Sequence, residues 1–227
     1  MRKRAVRPIP EHSQQRGGAD RIELCADLSL GGVTPGADLL RAVRAQVRIP
    51  IFSMVRPRAG DFVYSSAEFA EMKRAIADAK ESGMDGVVLG VLTKKHRVDI
   101  ERTQELVDMA KPLPVTYHRA FDESADLHQA LEDVIQTGSK RILTSGGAKG
   151  APEGAAVLAE LIAAGGKRIV IVPGAGISAA NIRQIAQRTR AREFHSGLSA
   201  VLPYGSKDYR KFEEDVRKLS EAIGRFT

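Results

Sequence analysis

From Arg21 onward the apolar positions fall into two alternating textures. Short runs rich in β-branched residues occur at RIELCA (21–26), IFSMVR (51–56), GVVLGVL (86–92), PVTYHRAF (114–121), RILTSG (141–146), RIVIVPG (168–174) and EFHSG (193–197), which predicts seven strands. Between them, apolar residues recur three or four apart: Phe69, Met72, Ile76 and Ala79; Leu127, Leu131, Val134 and Ile135; Val157, Leu158, Leu161 and Ile162; Ile182 and Ile185; and finally Phe212, Val216, Leu219 and Ile223. Each stripe lies on one helical face and can cover a sheet. Start signals agree with the stripes. Ser65 with Glu68 reads as a capping box, Asp126 precedes an apolar run, and Ser178 precedes AANIRQI.

Strands alternating with helices predict repeated βα units and a parallel sheet. No linker, composition break or low-complexity stretch divides the chain, and βα units of this size build a (β/α)8 barrel of about 250 residues. An open doubly wound sheet is the competing architecture, but no G-x-G-x-x-G follows the first strand candidate.

Composition then narrows the function classes. With 43% hydrophobic and 28% charged residues the chain is ordinary for a globular protein, and no apolar run reaches the roughly 20 residues of a membrane helix. The net charge of +7 invites a nucleic-acid reading, yet Arg2, Lys3, Arg4, Arg7 and Arg16 against Glu11 concentrate much of it in the first 16 residues. The remaining cations sit beside acids, as in Glu68, Glu71, Lys73 and Arg74, so a solvated surface is expected and no nucleic-acid partner. The basic N-terminus lacks the apolar core of a secretory signal, which predicts a cytoplasmic protein. Cys25 is the single cysteine, so a disulfide or a multi-thiolate zinc site within one chain is excluded.

The segments GGADRIELCADLSLGGVTP (17–35), MVRPRAGDFVYS (54–65), VTYHRAFD (115–122), ILTSGG (142–147), VPGAGIS (172–178) and EFHSG (193–197) resemble, in order and spacing, the CutC family. The resemblance implies a cytoplasmic (β/α)8 TIM-type barrel, participation in copper homeostasis through copper binding, and a homodimer. The chain departs from the family at its start. MRKRAVRPIPEHSQQR carries prolines and charges where an apolar first strand and helix are expected, so the first β/α unit is degenerate or absent. Residues 1–16 are accordingly read as a basic segment, disordered or forming an atypical first strand over Arg4–Ile9, and 17–227 as the barrel domain.

In such a barrel, alternate strand residues point inward and the strands' C-terminal ends carry the site. Glu23 and Cys25 alternate with Ile22 and Leu24, Thr116 shares a face with His118, and Glu193 and His195 flank Phe194. Glu23, His118, Asp122 and His195 are therefore the candidate acid/base residues, with Glu23 and Arg56 equally able to pair as a purely structural bridge. Arg56, Arg58, Arg119 and Ser145, with Gly174, Gly176 and Gly197 in glycine-rich turns, are the candidate anion-binding set. Those glycines are also explained by tight turns alone. Cys25, Met54, His118 and His195 make a soft mixed set suited to Cu(I), the expected cofactor, although one Cys and one Met also serve as core packing. The alternative to copper binding is an enzyme acting on a small phosphorylated or carboxylated substrate. Lys94 and Lys95 fall in a loop, which disfavours a Schiff-base mechanism.

Overall fold

The computed structural model describes residues 10–197 and 209–224. Helix α1 (Pro10–Arg16) is followed by alternating elements: β1 (Ile22–Leu24), α2 (Ala37–Arg44), β2 (Ile51–Met54), α3 (Ser66–Glu81), β3 (Gly86–Leu89), α4 (Ile100–Ala110), β4 (Val115–Tyr117), α5 (Leu127–Gln136), β5 (Arg141–Thr144), α6 (Ala155–Gly165), β6 (Val170–Pro173) and α7 (Ile182–Thr189). Helix α8 (Tyr209–Ile223) closes the described chain. The six strands pair in chain order, all parallel.

One face of this sheet is sealed by helices. Ile22, Leu24, Ile51, Val87, Leu89, Val115, Tyr117, Ile142 and Ile171 share a continuous core with Met72, Ile76, Leu106, Leu131, Leu158 and Leu161 from the helices. Truncating one of these large side chains to alanine costs about 2–5 kcal/mol. The predicted stripes lie in α3, α5, α6, α7 and α8, while α2 and α4 add helices whose buried faces hold few large apolar residues, Leu40 and Val43 in the first, Leu106 and Val107 in the second. Ser65 and Asp126 cap α3 and α5 as expected. Ser178 does not begin α7. Asn181 stands at that position, its Oδ1 accepting the Ser178 N–H.

The sheet is curled. A flat sheet would hold β1 and β5 about 19 Å apart, yet Arg21, just before β1, and Arg141, in β5, both bind the Glu193 carboxylate, at 2.9 and 2.8 Å. Both guanidiniums also lie over the Phe52 ring.

The expected eight-stranded closure is not reproduced among the described residues. EFHSG (193–197) is not a strand: the His195 N–H donates to the Pro173 carbonyl at 2.9 Å, but on its other side the segment reaches Arg21 and Glu23 through side chains rather than a backbone ladder. The result is an open half-barrel of six strands. Pro10–Arg16 forms a helix that docks on α8 through the Arg16–Glu213 ion pair, and the Ser220 hydroxyl donates to the Gly18 carbonyl. The expectation of an edge strand over Arg4–Ile9 lies outside the described residues.

Candidate functional site

On the concave face the strand alternation delivers polar side chains instead of aliphatic ones. Glu23 projects there between outward Ile22 and Leu24. Its side chain is 7% exposed, Oε2 lies 3.3 Å from His195 Nδ1, and Oε1 is buried with no hydrogen-bond partner among the described residues. Thr116, in the middle of β4, is fully buried with Oγ1 likewise unpartnered.

His118 follows β4 and starts the 3-10 turn Arg119–Glu123, its Nδ1 accepting the Ala120 N–H at 3.2 Å. A neutral imidazole that accepts at Nδ1 carries its proton on Nε2. That Nε2 is buried and has no partner among the described residues. Burial, and then the neighbouring Arg56 charge, push the His118 pKa down to about 3, so the ring is a neutral donor at any ordinary pH. Gly90 makes room for it, since a Cβ there would sit 2.6 Å from Nδ1.

Arg56 is also buried. Its guanidinium stacks on Phe62, 4.9 Å from the ring centroid, and donates to the carbonyls of Leu30, Gly32 and Gly60. Among the described residues no carboxylate pairs with it. A desolvated cation held only by neutral carbonyls lacks most of its electrostatic compensation.

Glu23, Arg56, His118 and His195 line one cavity of about 1080 Å³, together with Cys25 and Met54. Arg119, Gly176 and Gly197 also reach it. Arg58, Asp122, Ser145 and Gly174 do not. Arg58 is taken by Asp61 and Glu68 and holds its own loop. Asp122 accepts from Thr144 Oγ1, the Ser145 N–H and hydroxyl, the Gly147 N–H and Arg119 Nε, which leaves its oxygens saturated. It ties the turn after β4 to the end of β5. Gly174 is needed for packing, because a Cβ there would lie 2.5 Å from Leu143.

The four proposed copper ligands do not fit one ion. Among the described residues no three His, Cys, Asp or Glu side chains are placed to hold a metal, and His118 Nε2, the ring nitrogen not engaged by Ala120, carries a proton rather than a lone pair. Cys25 and Met54 both flank Gly32, whose added Cβ would be 2.9 Å from Cys25 Sγ and 4.0 Å from Met54 Cε.

Sequence reasoning missed the cluster at the opposite strand ends, where Arg21 and Arg141 enclose Glu193. Burial disfavours the ionised form of Glu193, but the hydrogen bonds from Arg141 and Arg21 overcome it and hold its pKa below the usual carboxylate range. The available signal was Arg141, a charge on the same strand face as Leu143.

Comparison with known proteins adds the lineage. The CutC family profile matches residues 8–200. The chain belongs to the CutC family. It is 46% identical over 226 residues to a family protein CutC of Chromobacterium violaceum, covering 92% of each chain. It is also 45% identical over 193 residues to the human copper homeostasis protein cutC homolog, covering 85% of this chain and 71% of that one. The solved structure of the CutC protein from Streptococcus agalactiae superposes with a TM-score of 0.74 at 31% identity, over 78% of this chain and 88% of the other. No helix among the described residues is long and apolar enough to cross a membrane.

Proposed function

We propose that the cavity at the strand ends of this CutC family member binds a small carboxylated or phosphorylated molecule, as an enzyme using acid/base side chains would. The observation that carries this reading is Arg56, a buried cation without a carboxylate partner among the described residues, lining the same cavity as Glu23 and His118, whose buried Oε1 and Nε2 have no partner among those residues. Leaving such groups desolvated and unmatched costs about 1–3 kcal/mol each, and an anion bearing both acceptor and donor groups would satisfy them together. In this reading residues 193–197 take the place of an eighth barrel strand, with Arg119, Gly176 and Gly197 at the rim.

Calorimetric titration of the metal-free protein with oxalate and with inorganic phosphate tests the proposal. Binding of either that weakens at least tenfold in Arg56→Met is expected, and no heat and no thermal stabilisation by either anion would overturn it.

A second reading concerns copper, the metal named for the human relative. It is favoured by the placement of Cys25 and Met54 beside the same residue, Gly32, two soft ligands suited to a low-coordinate Cu(I) ion carried as cargo. Stoichiometric Cu(I) binding lost in Cys25→Ser is the expected result, and unchanged binding would remove Cys25 from the site. A cytoplasmic location and a homodimer belong to the same family-based reading. Light scattering of the purified chain tests the dimer.

A further inference from the structure

We infer that the cavity is built for proton transfer next to a carbonyl group, with a 2-oxo carboxylate as ligand, Glu23 as the base and His118 as the donor to the carbonyl oxygen. The inference rests on the anion-binding reading above and names the chemistry of that same site.

Three groups define the ligand. Arg56 offers the charge complement for a carboxylate. His118 offers a single Nε2–H, fixed in that tautomer because Nδ1 is occupied by the Ala120 N–H. Glu23 offers one carboxylate oxygen without a partner among the described residues, while its other oxygen is steadied by His195. Glu23 lies on β1 and His118 follows β4, three strands along a curled sheet, so the acceptor and the donor approach the cavity from different strands. Of the remaining candidates, Asp122 has no oxygen to spare and does not line the cavity.

The step balances without a co-reactant. Glu23 Oε1 takes a proton from the carbon beside the carbonyl, and the C–H electron pair becomes the C=C bond of an enolate. The carbonyl π pair moves onto oxygen, where the His118 Nε2–H and the Arg56 charge meet the developing anion. A neutral imidazole suits this role. It donates a hydrogen bond in both states without giving up its proton, and its depressed basicity keeps it neutral beside Arg56. Return of a proton from Glu23 to carbon completes the cycle. His195, 31% exposed and touching Glu23, provides the route by which the carboxyl exchanges that proton with solvent.

The experiment is hydrogen exchange in D2O, following loss of the C3 proton signals of pyruvate and of 2-oxobutyrate by proton NMR, with oxalate calorimetry run on the same samples. The wild-type protein is expected to accelerate exchange. Glu23→Gln is expected to lower that rate at least about 100-fold while still binding oxalate and melting cooperatively. If the wild type binds oxalate but exchanges neither acid faster than Glu23→Gln, the inference fails and the binding function stands. If the wild type binds phosphate but not oxalate, the inference alone fails, and if it binds neither anion, both fail. A measurement needing no variant is the nitrogen-15 spectrum of His118 in the wild type. A proton on Nε2 is expected, with and without oxalate, and a proton on Nδ1 would overturn the assignment of His118.

Discussion

Two glutamates on the concave side of the same curled sheet meet opposite fates. Glu193 sits by the strands' N-terminal ends, enclosed by Arg21 and Arg141, and both guanidiniums rest on Phe52. Glu23 is only two residues along the chain from Arg21, about 7 Å of strand. It has His195 on one oxygen and, among the described residues, no partner on the other. Both sets line the same cavity, one matched in charge within the chain and the other not matched among the described residues. Burial alone does not mark a functional site. What separates the two ends is whether the buried polar atoms have partners within the chain.

The comparison is sharpened first at Asp122, the saturated carboxylate nearest the mouth. Asp122→Ala orphans the Ser145 and Gly147 N–H groups and removes the acceptor of the Thr144 hydroxyl, and is expected to cost about 3–5 kcal/mol in urea denaturation. Glu193→Gln is expected to cost about 1–3 kcal/mol at pH 7 while leaving oxalate affinity unchanged. Its lowered pKa sets the sign: this stability is present above the unfolded carboxylate value and is lost as pH falls through the folded one. Glu23→Gln should behave in the opposite way, with unchanged or slightly higher stability and lost chemistry. Equal destabilisation by the two substitutions would break the comparison.

Next in size is the acid response of His118. The unfolded chain takes up a proton below the ordinary value of 6.5, whereas the folded ring holds out to about 3. Stability present above 6.5 is therefore lost as pH falls through that window, by up to about 1.4 kcal/mol per pH unit. In His118→Gln this component of the slope disappears, as denaturation at pH 7 and pH 5 will measure. The smallest effect is expected at Thr116. Replacing the unpartnered hydroxyl by a methyl in Thr116→Val should raise stability by about 0.5–1 kcal/mol, read as a shift of the urea midpoint at constant slope.

Much of the scaffold was legible because its signals are local. The capping box at Ser65 and Glu68, the Asp126 cap and the apolar stripes of α3, α5, α6 and α8 depend on spacings within one or two turns. Alternation on β1 likewise put Glu23 and Ile22 on opposite faces. The strand read at 193–197 failed for the complementary reason: EFHSG has strand composition, but a strand exists only where a neighbour offers a backbone ladder, and here β6 supplies one hydrogen bond. Arg58 and Asp122 were read as site residues from closeness in sequence to Arg56 and His118. Their loops turn them instead towards Glu68 and towards Ser145.

The sequence by itself therefore determined the order of βα units, the outward core and the family, since periodicity and motif spacing carry all three. Tertiary structure alone decided which polar groups are satisfied. That Glu193 is paired while Glu23 Oε1 has no partner among the described residues, that His118 carries its proton on Nε2, and that Cys25 and the two histidines do not gather round one ion all depend on which strands the curl of the sheet brings face to face. Partners across a curled sheet come from distant parts of the chain, and no local spacing encodes that distance.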